Sequence, residues 1–220
     1  MPIFSAHLTE LNEKEVRRYA RAEKLSQNFI DEAIFDALVY IKPQGNFNIF
    51  NYDYENSNIF FENKRIFLAG KSIKKHLNFC EKIAILSLTV GEDIEEEITN
   101  LSEKGEYSHA LLLDAAATEA VEESADLMEK VIKREAKREG FYITSRFSPG
   151  YGDFPLTMQN EILELSSGKD INISLTESLM LTPRKSITAI IGFKRENSEL
   201  QKRNCKNCEK LDCNFRNKGE

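Results

Sequence analysis

The chain has 220 residues, 41% hydrophobic and 30% charged, which is enough apolar material for one substantial core and too much charge for a membrane-embedded protein. Thirty basic against thirty-six acidic residues leave a net charge of -6, which argues against a general nucleic-acid binder, because neutralising phosphates needs a basic field. No run approaches the ~20 consecutive apolar residues of a spanning helix, and Met1 to Glu10 holds no basic region followed by an apolar block, so a soluble, cytoplasmic protein with no membrane partner is expected.

From Leu11 to Tyr40 apolar residues recur at helical spacing, which predicts two helices within a helical N-terminal part over 9–41, with Ser26 placed to cap the second. Pro43, Gln44, Gly45 and Asn46 break that pattern. Phe47 to Phe61 is aromatic and β-branched around an Asn-rich turn at 56–58 and reads as a hairpin or two short strands. Ser72 to Cys80 predicts a short helix. Lys82 to Gly91 is the clearest strand, and its few polar positions imply burial on both faces. The acidic run Glu92 to Glu97 suits the first turn of a helix and reads as a solvated helix face.

Tyr107 to Arg138 carries the longest helical stripe, ends in a basic stretch and is stopped by Gly140. Phe141 to Phe147 reads as a strand, 148–155 as a tight loop and Leu156 to Leu165 as an amphipathic helix. Ile171 to Ile173, Leu179 to Leu181 and Ser186 to Phe193 read as further strands. Strands follow one another without an intervening helix, so an α+β fold with a mostly antiparallel twisted sheet and flanking helices is expected. It forms one domain over 1–193, and the polar, charged segment 194–220 is an appendage outside the core.

The chemistry concentrates in Arg146-Phe-Ser-Pro-Gly-Tyr-Gly-Asp-Phe-Pro155. Two prolines stiffen this loop, and Gly150 and Gly152 allow main-chain N–H groups to approach a ligand closely. Arg146 offers a planar fork of donors for a carboxylate, and Tyr151 an aromatic face and a hydroxyl. By itself the loop reads as a site for a small anionic or zwitterionic molecule, or as a tight turn with Arg146 in an internal ion pair.

Arg146-x-x-x-Gly150-Tyr151-x-x-x-Pro155 resembles the S-adenosylmethionine-binding motif of the activation domain of cobalamin-dependent methionine synthase. The resemblance continues through Leu175-Thr-Glu-Ser178, Pro183 and the strand Ser186 to Ile191, and upstream through Thr118-Glu119-Ala120. It implies that Arg146 holds the ligand carboxylate, that the Ser148 to Tyr151 backbone, Ser148 and Gly150 included, meets its polar groups, that Tyr151 lines the pocket, and that Glu119 is an acidic partner for positive charge. It also implies a reactivation component that supplies a methyl group while cob(II)alamin on a partner methionine synthase subunit is reduced, with flavodoxin or another low-potential carrier as reductant. Ile190 and Ile191 stand where the family leads one to expect aromatic residues.

Three of the four cysteines form Cys205-x-x-Cys208-x-x-x-x-Cys213, a spacing that suits three ligands of a zinc or iron-sulfur site or, alternatively, reduced thiols on a tail. A metal or cluster there defines the alternative function, electron transfer to another corrinoid protein. His7, His76 and His109 form no ligand pair, and no nucleophile–base constellation stands out.

Overall fold

Asn12 accepts a hydrogen bond from the Lys14 N–H on its side-chain oxygen and so opens the first helix, α1 (Glu13–Ala20), whose buried residues are Val16 and Ala20. The structure, a computed structural model, describes residues 3–62 and 64–195. Before α1 lies a short strand, β1 (Phe4–Ser5). After it comes α2 (Gln27–Tyr40), with Ser26 at the cap position but making no side-chain cap bond. Three strands follow, β2 (Gln44–Asp53), β3 (Asn58–Phe61) and β4 (Lys64–Phe67). Then come helix α3 (Lys71–His76), strand β5 (Lys82–Thr89), helix α4 (Asp93–Glu103) and helix α5 (Tyr107–Arg138). The chain continues through β6 (Tyr142–Ile143), a 3-10 turn at Leu156–Met158 leading into α6 (Gln159–Leu165), a second 3-10 turn at Gly168–Ile171, β7 (Ser174–Leu175), β8 (Leu181–Thr182) and β9 (Ser186–Lys194).

Among the described residues the main sheet has seven strands in the order β4-β3-β2-β5-β9-β6, with β1 paired to β2, and β7 and β8 form a separate hairpin. β1 with β2, β2 with β3, β3 with β4, and β6 with β9 are antiparallel. The bonds flanking β5, Lys42 N–H to Val90 O and Tyr52 N–H to Glu81 O on one side, Glu81 N–H to Phe193 O and Val90 N–H to Lys185 O on the other, run in opposite senses along the chain and make its neighbours antiparallel too. This is the expected α+β fold with an antiparallel sheet and helices.

The described residues fall into two compact units. The first takes the described residues of Met1–Asn46, Ser87–Glu129 and Ser167–Ile187, and the second those of Phe47–Leu86, Lys130–Ser166 and the stretch from Thr188 onward. In the first, Ile30, Ala33 and Ala37 of α2, Ile94 and Ile98 of α4, and Leu113, Ala116 and Ala120 of α5 are buried. The second has its own apolar core, in which Ile73 and Leu77, Ile83 and Ile85, Ile162 and Leu165 gather around Phe154. Glycine marks its tightest point: a Cβ on Gly192 would collide with Cys80 Sγ and lie 2.9 Å from Leu77 Cδ2.

The structure corrects the sequence reading at several places. Gln44 to Asn46 are already strand, because β1 pairs Phe4 with Gly45 and Ser5 with Gln44. The aromatic hairpin gains a third strand, β4, whose Lys64 and Arg65 hide it from an apolar pattern. Ile171 to Ile173 is not a strand: Ser167 and Asn172, both in the left-handed region (φ 57° and 60°), bracket a 3-10 turn that nonetheless buries both isoleucines. Lastly, the acidic run of α4 is more than a solvated face, because Glu95 accepts the Lys185 N–H at 2.7 Å and pairs with Arg184 Nε at 3.3 Å.

Candidate functional site

The segment expected to be one strand from Phe141 to Phe147 is a strand with an interruption. Ile143 pairs with Phe193, and the next backbone pair is Phe147 with Ile190. Residues 144, 145 and 146 therefore stand opposite only 191 and 192, which is one extra residue on this strand, a bulge. Thr144 fastens its near side, with its N–H on Gly192 O and its hydroxyl accepting the Gly192 N–H, each at 2.8 Å. The extra residue reverses the alternation of faces, and Arg146 enters the loop 6% exposed. A guanidinium withdrawn this far from water is costly unless acceptors or an anion compensate it.

The loop then closes on itself. Gly150 N–H donates to Phe154 O (2.8 Å), Tyr151 N–H to Ser148 O (3.1 Å), and Phe154 N–H to Tyr151 O (3.0 Å). The N–H groups of Gly150 and Tyr151, assigned to a ligand from the sequence, are thus committed inside the turn, because a turn this tight satisfies its own donors. Gly150 adopts φ 89°, a left-handed conformation unfavourable for any other residue. Phe154 anchors the turn in the core of the second unit, while Tyr151 stays 46% exposed. Between them Phe147 meets Tyr151 edge-on at 5.8 Å, Phe154 at 6.2 Å and the His76 ring at 4.8 Å. His76 in turn hydrogen-bonds the Ser145 carbonyl through Nε2 at 2.8 Å, which fixes the bulge to α3.

A second clamp lies at the far side of the loop. Asp153 accepts the N–H groups of Lys71 (2.8 Å) and Ser72 (2.7 Å) at the start of α3, and these bonds hold its carboxyl down at about 2. Two glycines permit the approach. A Cβ on Gly70 (φ 117°) would sit 2.9 Å from Asp153 O, and one on Gly152 (φ 55°) would overlap Ser72 Oγ and come within 2.8 Å of Ser72 Cβ. Arg146, Ser148, Gly150 and Tyr151 are therefore brought together on a turn fastened at both ends. Phe147 and Asp153 lie inside the ten-residue motif, yet neither role was visible there. Ser72 and His76 carried no signal, since only the fold brings α3 to the turn.

Glu119 belongs to the first unit. It is buried on α5, and burial above all, with Glu15, Glu123 and Glu122 adding to it against a backbone hydrogen bond from Asn12, pushes its carboxyl up to about 7. Leu175 to Ser178 leads out of β7, where Thr176 Oγ1 meets Ser178 Oγ at 3.0 Å and accepts the Met180 N–H at 3.1 Å. Cys205, Cys208 and Cys213 lie outside the described residues, and among the described residues no group of three or more His, Cys, Asp or Glu side chains forms a metal site. His109 faces Asp36 at 2.9 Å. Cys80 is buried, and burial pushes its thiol up to about 12, the opposite of a reactive or metal-binding thiolate. No helix among the described residues is long and apolar enough to cross a membrane.

No curated protein sequence matches the chain. Among solved structures it is similar to the MetH reactivation domain bound to AdoHcy, with a TM-score of 0.60 over 87% of this chain and 78% of that one. At 15% identity this is a likeness of fold. The family model described as the vitamin B12 dependent methionine synthase activation domain matches residues 67–210, a span that takes in α3, α5 and the whole Arg146 loop. With well over half of its length so matched, the chain belongs to the family of the vitamin B12-dependent methionine synthase activation domain.

Proposed function

We propose that this chain binds S-adenosylmethionine at the Arg146–Tyr151 turn and serves as a separate cytoplasmic reactivation component for a cobalamin-binding methionine synthase subunit, with flavodoxin or another low-potential carrier as the electron source. When bound, the sulfonium supplies a methyl group to the partner's reduced cobalamin. The observation that carries the reading is the bulge at 144–146, from which a withdrawn arginine leads into a turn that bears the exposed Tyr151 and is clamped by Asp153 and His76. The donor set fits the ligand. Arg146 suits its carboxylate, Tyr151 suits its adenine or sulfonium, and the half-buried Ser148 supplies a hydroxyl. The chain's own part in the reaction is to bind and orient the methyl donor, which requires no nucleophile or general base.

Calorimetric titration of S-adenosylmethionine into wild type, Arg146→Lys and Tyr151→Ala tests this. Tyr151 is exposed, so its loss leaves the fold intact. Binding that weakens at least tenfold in each variant, about 1.4 kcal/mol, supports the assignment. Absence of binding to wild type, or equal binding to all three, overturns it. A second reading, electron transfer through an iron-sulfur cluster, with redox-inert zinc as the purely structural alternative at the same ligands, rests on the spacing of Cys205, Cys208 and Cys213. Metal analysis and visible absorbance of anaerobically prepared wild type and Cys205→Ser decide it, and a wild type that is metal-free or holds only zinc removes it.

A further inference from the structure

α2 is apolar on both of its faces. Ile30, Ala33 and Ala37 are buried, yet Phe35 and Val39 on the other side are 67% and 61% exposed. A helix with apolar residues all round is normally covered all round, and Phe35 and Val39, four residues apart, stand one above the other as a single ridge. The acidic and basic residues sharing this face have one sign. Asp31 and Glu32 are exposed beside the ridge, and Asp36 lies at its edge facing His109. On α4, Glu97 acts with Asp36 on the Tyr40 hydroxyl, which both push upward. Residues 25–41 contain no lysine or arginine, and α4 contains none either.

An apolar ridge in an acidic rim selects its occupant by charge. A second copy of this chain would set Asp31, Glu32 and Asp36 against their own counterparts, and a nucleic acid or an anionic lipid surface would be repelled in the same way. We propose that the exposed face of α2 docks a protein surface carrying apolar anchors inside a lysine and arginine rim. Resting on the function proposed above, we assign that surface to the chain that holds cobalamin. When two modules share a chain, the linker supplies an effective concentration in the millimolar range. A component that acts as a separate chain must obtain its encounters from a docking surface instead.

The test is calorimetric titration of the purified cobalamin-binding methionine synthase chain into the full 220-residue protein. Wild type is compared with Phe35→Ser/Val39→Ser and with Asp31→Lys/Glu32→Lys, at low and at high salt. All four positions are exposed, and circular dichroism verifies that both variants fold. The expected result is affinity at least ~tenfold weaker in each variant, weakening of wild type by salt, and unchanged S-adenosylmethionine binding throughout. Equal affinity of the variants overturns the proposal, as does absence of binding to wild type. A wild-type homodimer in sedimentation that the Phe35→Ser/Val39→Ser variant abolishes also overturns it, in favour of a second copy. Titration of S-adenosylmethionine alone judges the ligand reading separately: its failure removes that reading whatever the docking result.

Discussion

Replacing Gly152 by alanine probes the clamp that shapes the Arg146 turn. The backbone there has φ 55°, where an L side chain costs about 1–2 kcal/mol. The new Cβ would also overlap Ser72 Oγ and lie 2.8 Å from Ser72 Cβ, so that either Ser72 or the turn must move. Overpacking of this kind costs a further ~1–3 kcal/mol. A combined loss of about 3 kcal/mol corresponds to a fall in melting temperature of roughly 6–12 °C for a chain of this length. Gly150→Ala is the control, since its φ of 89° carries the strain while its Cβ would meet only Leu156 Cδ1, at 3.8 Å. Calorimetric melting of the two variants, with S-adenosylmethionine titrated into each at low temperature, separates strain from collision. If Gly152→Ala melts no lower than Gly150→Ala, the crossing with Ser72 does not hold the turn and the reasoning fails.

Glu119, pushed up to about 7, binds more protons folded than unfolded between its ordinary range near 4.5 and 7, so stability falls as pH rises through that window. Glu119→Gln should flatten this slope and raise stability at pH 8 by about 1 kcal/mol in urea titrations, solvent screening of a partly wetted carboxyl discounting the full shift, and an unchanged slope would contradict the assignment. Asp153 behaves oppositely: its stabilisation is present above pH ~4 and disappears as pH falls towards 2. Asp153→Ala should therefore lower the melting temperature at pH 7 and converge on wild type near pH 2, whereas a pH-independent difference would point to lost packing. Gly192→Ala should cost ~1–3 kcal/mol by pushing on Cys80 Sγ, and a neutral result would mean that this corner is loosely filled.

The elements legible in the sequence are those whose pattern is long or whose burial is uniform. Helix α5 runs over the residues that its stripe and Gly140 predicted, because a period sustained across many turns leaves no competing reading. β5 is buried at every position but the first, and its apolar run reported this directly. β4 was not legible, because Lys64, Arg65 and Phe67 face outward and only pairing with β3 makes it a strand. The bulge at 144–146 was not legible either, since it is a mismatch of register between two segments and neither carries it alone. At the site, Arg146, Gly150 and Tyr151 stood out by residue type. The contribution of Asp153 depends on where α3 begins, and that of His76 on a carbonyl in the bulge. Such roles are relations between distant residues, beyond the reach of local pattern.

Ser72 and Asp153 are 81 positions apart, and His76 and Ser145 are 69 apart. The Arg146 turn is thus closed by contacts that a growing chain can make only after β5, α4 and α5 have been produced in between, and closing so long a loop is entropically unfavourable until other contacts support it. An excised peptide spanning 141–166 would carry the whole Arg146 motif and yet lack both fasteners. A change at Gly70 or Ser72 is therefore expected to disturb the turn as directly as a change within the motif.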